Sequence, residues 1–388
     1  MFFRERRQMH IKRLVINDFR NLEYVELEPC EGFNFICGPN GSGKTSIIEA
    51  IHYLSLARSF RTNVYQYLIR QGAPAFNIFA LVHEDNESID CTLGLSRSRG
   101  EKPVIKINSD PISRMVDLID HICVQIIHPQ GVDLITKEAE GRRGFIDWGV
   151  YYTDAEFKSL WLKYRKVLKQ RNSLLRREYL KAKGISGKVE NIEPSNGSFL
   201  SFNDEISIWN ESIAVLSEQI TQKRLNYLND LQVILQDIIG QFLPNFTIKF
   251  ELNFGWEKSQ DLRSLLAQNL EKDKALGYTL YGCHRADLRI KNNTISAGAT
   301  LSRGQLKMLV YALRLAQGML LKEQSKKACI YLIDDLNSEL DDNSQKILLN
   351  TLLQCNHQVF ISNIQQELFF PKDRSEYKIF SLNQGMVV

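Results

Sequence analysis

Gly38-Pro39-Asn40-Gly41-Ser42-Gly43-Lys44-Thr45 matches the phosphate-binding pattern G-x-x-x-x-G-K-[ST], and its flanks are those the pattern needs. GFNFICG leads into it as an apolar strand, and a helix pattern from about Ser46 to Leu56 leads out of it. The glycines let backbone N–H groups turn toward phosphate oxygens. Lys44 then reaches the β and γ phosphates of ATP, and Thr45 offers a hydroxyl to Mg²⁺.

Three further motifs follow in order. Leu301-Ser302-Arg303-Gly304-Gln305 precedes the helix-like KMLVYALRLAQGMLL. CIYLIDD, Cys329 to Asp335, is a buried-strand pattern ending in two acids. Asp334 is the expected metal-side carboxylate, and Asp335 the catalytic group that orients or deprotonates the attacking water. SELD, Ser338 to Asp341, comes next. The set resembles the ABC ATPases, in which the LSGGQ-type segment and the loop after the acidic strand bind the nucleotide held by a second subunit. By that resemblance Leu301, Ser302, Arg303, Gly304, Gln305 and Asp341 contact ATP in trans, and ATP acts as glue between two copies.

The distance from Gly38 to Leu301 is 263 residues, far more than a transporter ATPase contains. The insert changes period: Phe157, Leu160, Trp161, Tyr164, Val167, Leu168, Leu174 and Leu175 fall three or four apart, as do Trp209, Ile213, Leu216, Ile220, Tyr227, Leu231, Ile234 and Ile238. Between them residues 183–201, rich in Gly, Pro and polar residues, read as a connection, and Pro244 ends the second helix, about 50 Å long. The first part of the chain alternates as strands do, in HIKRLVINDF, YVELEP, FNIFALVH, SIDCTLGLS and PVIKINS. The expected fold is α/β: an SMC/ABC-type ATPase head, a mixed sheet with a P-loop, split by an inserted helical lobe with a short antiparallel helical hairpin. Residues 9–125 and 281–388 are expected to form the ATPase lobe and residues 126–280 the insert.

With 388 residues, 44% hydrophobic and 24% charged, the chain can build two globular units. Nothing approaches eighteen consecutive apolar residues, and MFFRERRQMHIKR lacks the apolar stretch of a secretory signal. A soluble, cytoplasmic chain with no membrane partner is predicted. Met9 is a second candidate start, which would make residues 1–8 an extension without function. Seven scattered cysteines, with no C-x-x-C pair, argue against disulfides or zinc. The net charge of +4 is unevenly placed: residues 154–183 carry ten Lys or Arg against three Asp or Glu. Lys163, Arg165, Lys166, Lys169 and Arg171 read as contacts to a DNA backbone, the alternative being the solvated face of an amphipathic hairpin.

Over nearly its whole length the chain resembles the RecF family of SMC-like ATPases. NDFRNL, GPNGSGKTSIIEAI, ARSFRT, GRRGFIDWG, LKQRNSLLR, YGCHRADL and LSRGQLK carry the resemblance. It implies a weak DNA-stimulated ATPase that dimerises on ATP and binds double-stranded and gapped DNA. It also implies action with RecR and RecO to load the recombinase RecA in repair and replication restart. By the same resemblance Arg20 is expected to reach the nucleotide phosphates and Arg58 and Arg61 to meet DNA or nucleotide, the alternative for these two being ordinary surface solvation. His284, Arg285 and Asp287 read either as a structural polar cluster or as catalytic groups. Cys283 departs from the family pattern, where proline is usual, and Gln130 stands where an acid is usual. Two rivals remain: a transporter's ATPase subunit, against which the long insert speaks, and a DNA-binding module with a vestigial ATP site, against which Lys44, Asp334 and Ser302 speak.

Overall fold

Two sheets and a helix frame the P-loop. They are described from a computed structural model covering residues 9–84, 90–112, 115–185, 201–325, 328–336, 340–355, 357–363 and 377–388. Most of the expected connection at 183–201, residues 1–8, and Ser338 and Glu339 lie outside the described residues.

The first sheet is antiparallel. β1 (Met9–Phe19) and β2 (Leu22–Leu27) form a hairpin, to which β4 (Ala75–Glu84), β5 (Cys91–Ser98), β6 (Val104–Ile107) and β7 (Asp110–Ile112) add in the order β2-β1-β4-β5-β6-β7. In β5 Cys91, Leu93 and Leu95 are buried while the residues between them are half-buried, the alternation of a sheet with one face covered. The second sheet holds β3 (Phe33–Cys37), β8 (Val124–Ile127), β12 (Ile330–Ile333), β13 (Val359–Asn363), β14 (Tyr377–Asn383) and β15 (Met386–Val387). Its order is β15-β14-β3-β13-β12-β8, parallel throughout except for the last hairpin. Every residue of β3, β12 and β13 is buried, as strands covered on both faces require.

Helix α1 (Lys44–Leu56) touches strands of both sheets. Ten consecutive residues, Ser46 to Ser55, are buried, so polar members of the helix need partners inside the protein. Glu49, fully buried, has one in Arg20, whose Nε and Nη2 donate to its two carboxylate oxygens at 2.9 and 2.7 Å. His52 is held neutral, its pKa pushed down to about 4 by burial, and its Nδ1 lies 2.9 Å from the Arg58 carbonyl.

The chain forms two compact units. One takes the chain up to Val132, Asp237–Asn245, and Leu301 onward; the other takes Asp133–Gln236 and Phe246–Thr300. The division falls at 300, not at the expected 280, because β10 (Asp287–Asn292) pairs with β9 (Ile248–Asn253) and β11 (Ile295–Ser296) in a sheet of the second unit. FTIKFEL reads as a strand from its alternation, but local alternation does not say that it pairs with the segment after YGCHRADL.

The second unit also carries α2 (Ala139–Thr153), α3 (Phe157–Ala182), most of α4 (Phe202–Phe242) and α5 (Leu270–Leu276). Pairing between α3 and α4 is antiparallel, as expected. Arg224 lies over the Trp161 ring at 5.6 Å, Arg171 bonds Asn210, and Leu174 and Leu175 cluster with Ile206. Position on α4 therefore falls as position on α3 rises. At 41 residues, α4 is about 60 Å long.

Candidate active site

Backbone shape in the P-loop depends on glycine at two positions. A Cβ on Gly43, whose φ is 110°, would lie 2.5 Å from Leu22 Cδ2, and one on Gly38 would lie 2.3 Å from the Leu382 carbonyl oxygen. The loop is braced from two directions. Asn21 Nδ2 donates to the Gly41 carbonyl at 2.9 Å and its Oδ1 accepts from Ser46 Oγ at 2.7 Å, while Gly385 N–H donates to the Ser42 carbonyl at 2.9 Å.

Above the loop is a cleft of about 430 Å³, lined by Asn40, Gly41, Gly43, Lys44, Thr45 and Ser46, with Asn21, Arg61 and Pro129 at its sides and Asp334, Asp335 and Ser362 opposite. Lys44 Nζ donates to the carbonyls of Gly38 and Pro39 at 2.7 and 2.9 Å. Burial lowers the Lys44 pKa, and the nearby charges of Asp335 and Asp334 oppose that shift.

The acidic strand delivers both carboxylates here. β12 pairs in parallel with β8 and β13, and the Asp334 N–H continues the ladder to the Ile127 carbonyl at 2.9 Å. Asp334 Oδ1 accepts from Thr45 Oγ1 at 2.8 Å and from Ser362 Oγ at 2.7 Å. Ser362 Oγ in turn accepts the Asp335 N–H at 2.8 Å. Asp335 has a φ of 58°, a left-handed conformation that Asp and Asn tolerate better than most residues.

Thr45 and Asp334 were paired from sequence across 289 positions, and the structure brings them into hydrogen-bond contact. Oxygen donors of this kind suit Mg²⁺, which keeps several waters and takes one or two protein ligands beside substrate phosphates. Sequence reasoning missed Ser362, Asn21 and Glu49. Ser362 lies in HQVFISN, an apolar run that reads as a strand, but no local pattern says that it runs beside the acidic one.

Arg20 does not line the cleft. Its guanidinium is spent on Glu49 and on the Tyr67 carbonyl. Arg61 is at the cleft instead, 3.5 Å from Glu49. Its loop folds around Ser59, whose Oγ donates to Glu49 and accepts the N–H groups of Arg61 and Thr62. Arg58 is exposed.

The LSRGQ segment opens helix α6 (Arg303–Ser325). Ser302 Oγ accepts from the Gln305 N–H at 3.4 Å, and Gln305 Oε1 accepts from the Ser302 N–H at 2.8 Å, a reciprocal capping box. Ser302, Arg303 and Gly304 are exposed, and none of the segment lines the chain's own cleft. A Cβ on Gly304 would meet nothing within 4 Å, so no contact within the chain demands glycine there. Asp341 accepts from the N–H and hydroxyl of Ser344 at 2.9 and 2.8 Å, capping α7 (Asp342–Cys355), and the backbone hydrogen bond from Ser344 is the main cause of its lowered pKa. His284, Arg285 and Asp287 take no part in the cleft. His284 meets the Tyr164 hydroxyl at 2.6 Å and the Thr279 carbonyl at 3.2 Å, and Asp287 accepts from Arg142.

On α3 the basic candidates separate. Lys163, Arg165, Lys166 and Lys169 are exposed, but Arg171 is fully buried and is not a DNA contact. Its guanidinium donates to Asn210 Oδ1, Asp273 Oδ2 and Thr279 Oγ1 at 2.7 to 2.8 Å. Burial lowers the Arg171 pKa and raises that of Asp273, so the pair persists by mutual compensation. Arg171→Ala would take from the buried Asp273 its ion-pair partner, leaving it the Leu280 N–H. A loss of about 3–5 kcal/mol in stability is expected, read as a lower denaturation midpoint; an unchanged midpoint would contradict the structural role.

A P-loop, an acidic strand, an LSRGQ segment opening a helix and a split α/β unit define a head ATPase of the ABC/SMC class. Residues 10–387 match the family model described as RecF/RecN/SMC N terminal domain. The DNA replication and repair protein RecF of Shewanella frigidimarina is 38% identical over 380 residues, 98% of this chain and 99% of that one. Its counterpart in Psychromonas ingrahamii is 37% identical with the same coverage. Among solved structures, the recombination mediator protein RecF with ATP, of the RecFOR pathway, superposes with a TM-score of 0.82 at 26% identity, covering 98% of this chain and 99% of that one. An Smc head from Pyrococcus furiosus shares the fold, with a TM-score of 0.56 at 15% identity over 98% of this chain and 95% of that one. The chain belongs to the RecF family.

Proposed function

We propose that this protein is an ATP-dependent DNA clamp of recombinational repair, whose two copies close around ATP, hold duplex DNA beside single-strand gaps and release it on slow hydrolysis. The names of its relatives support the DNA-repair setting, and by the family resemblance RecR and RecO are the partners with which it loads RecA. One observation carries the dimer reading: the LSRGQ segment is built as a capped, exposed helix N-terminus, yet lies outside the cleft of its own chain. A helix start presents N–H groups and a partial positive charge suited to phosphate. A second copy's nucleotide is the ligand for which that surface and the open Gly304 are suited.

Within the cleft, the P-loop N–H groups and Lys44 bind and orient the phosphates. Thr45 and Asp334 would hold Mg²⁺, which when bound neutralises charge on the β and γ phosphates. Asp335 positions the attacking water and accepts its proton, while Ser362 fixes both acids through its hydroxyl. No described helix is long and apolar enough to cross a membrane, and the 263-residue gap between Gly38 and Leu301 speaks against the transporter reading. Exposed Lys163, Arg165, Lys166 and Lys169, with Arg58, supply the charge for DNA phosphates.

Ser302→Arg tests the reading. The variant should bind ATP with parental affinity as a monomer while the ATP-induced dimer disappears from size-exclusion or sedimentation profiles. Loss of ATP binding by the monomer would place Ser302 at its own chain's nucleotide and end the in-trans geometry.

A further inference from the structure

A second cavity lies within the other unit, along α3. It is an open groove of about 810 Å³ between that helix and the turn at Gly277-Tyr278. Gly277 makes the turn, with a φ of 76°, and a Cβ there would press on Tyr179 and Arg176 at 3.3 to 3.4 Å. Arg165, Lys169 and Arg176 line one side. Spaced four and seven residues apart, they fall on one helix face, about 6 and 10.5 Å apart along the axis. Lys166 joins them, and no carboxylate lines the groove among the described residues.

Beside the cations the groove is lined by the polar Asn172 and Ser173 and by three apolar or aromatic groups: Leu162 and Tyr278, 37% and 40% exposed, and Leu168. Arginines already stack on rings at this place, Arg285 over Tyr278 at 5.2 Å and Arg176 over Tyr179 at 4.8 Å. A double helix presents phosphates outward and hides its bases, so it would neutralise the cations and leave Leu162 and Tyr278 uncovered. A ligand that alternates phosphates with flat, exposed rings satisfies both sets of groups.

We infer that this groove binds single-stranded DNA, the unpaired stretch of a gap, with its phosphates on Arg165, Lys169 and Arg176 and a base against Tyr278. The inference rests on the reading of α3 as a DNA-binding element and assigns that element its strand. Sequence-independent binding is expected, since every base has a face to stack.

Fluorescence anisotropy of the full chain with ATP, against labelled oligo-dT and against a blunt duplex, tests it. Tyr278→Ser should lower oligo-dT affinity about tenfold and leave duplex affinity unchanged. Tyr278→Trp should retain parental affinity, which shows that the Ser effect is lost stacking and not lost folding. Lys166→Ala with Lys169→Ala should weaken both ligands and reduce the slope of log affinity against log salt. If Tyr278→Ser changes neither ligand, or weakens both alike, the single-strand assignment falls while the α3 reading stands on the lysine pair. If the lysine pair also leaves both affinities unchanged, both readings fall. An acidic, leucine-bearing peptide that displaces labelled oligo-dT at lower concentration than unlabelled oligo-dT does would overturn the assignment in favour of a protein ligand.

Discussion

Lys44→Ala should lower ATP affinity by a factor of about 10²–10⁴, because two charge-assisted contacts to phosphate, each worth about 1.5–3 kcal/mol, are lost together. The structure shows why the effect should be confined to binding. Lys44 Nζ donates to the carbonyls of Gly38 and Pro39, while the loop is also braced by the Asn21 side chain on the Gly41 carbonyl and the Gly385 N–H on the Ser42 carbonyl, which the substitution does not alter. The variant should therefore fold, with an unchanged denaturation midpoint, and lose ATP-induced dimerisation and ATP-dependent retention on DNA along with the nucleotide. Titration with a fluorescent ATP analogue reads the first effect directly, and parental affinity would overturn the P-loop assignment.

Asp335→Asn should separate binding from turnover. The substitution keeps the left-handed backbone at residue 335, which Asn adopts readily, and keeps the N–H that Ser362 accepts. What it removes is the proton acceptor. Hydrolysis should fall by about 10²–10⁴, while ATP affinity and dimerisation remain and the complex on DNA lives longer. Unchanged turnover would assign the base to another residue. Most ABC ATPases carry Glu at this place. A side chain shorter by one methylene is expected to hold the water less well, and a displacement of about 1 Å can cost on the order of 100-fold in rate, the basis of the slow hydrolysis proposed above.

The cleft was legible in sequence to the extent that its parts are punctuated. GPNGSGKT, LSRGQ and the double acid after an apolar run each announce themselves by residue type and flanking period, and α3 and α4 by spacing. What stayed hidden depends on partners far along the chain. Lys169 and Arg171 sit two residues apart in one basic run, yet one is exposed and the other buried, because Asp273 and Thr279, more than a hundred positions later, close over Arg171. The family resemblance offers Arg20 as a phosphate ligand, and nothing local in the sequence shows that its guanidinium pairs with the buried Glu49. The unit boundary at 300 follows from strand pairing between β9 and β10, which no local pattern encodes.

The strand that carries the P-loop is flanked on both sides by later sequence: β3 pairs with β13 and with β14, and Gly38 and Ser42 rest against Leu382 and Gly385. On the ribosome, a growing chain has already produced GPNGSGKT while the neighbours of that strand are some 320 residues of synthesis away. Contacts of such separation close late. The nascent protein is thus expected to gain its nucleotide site only when residues near 385 have emerged; messages truncated just short of that point should yield chains with the P-loop, LSRGQ and the acidic pair in place and weakened ATP binding.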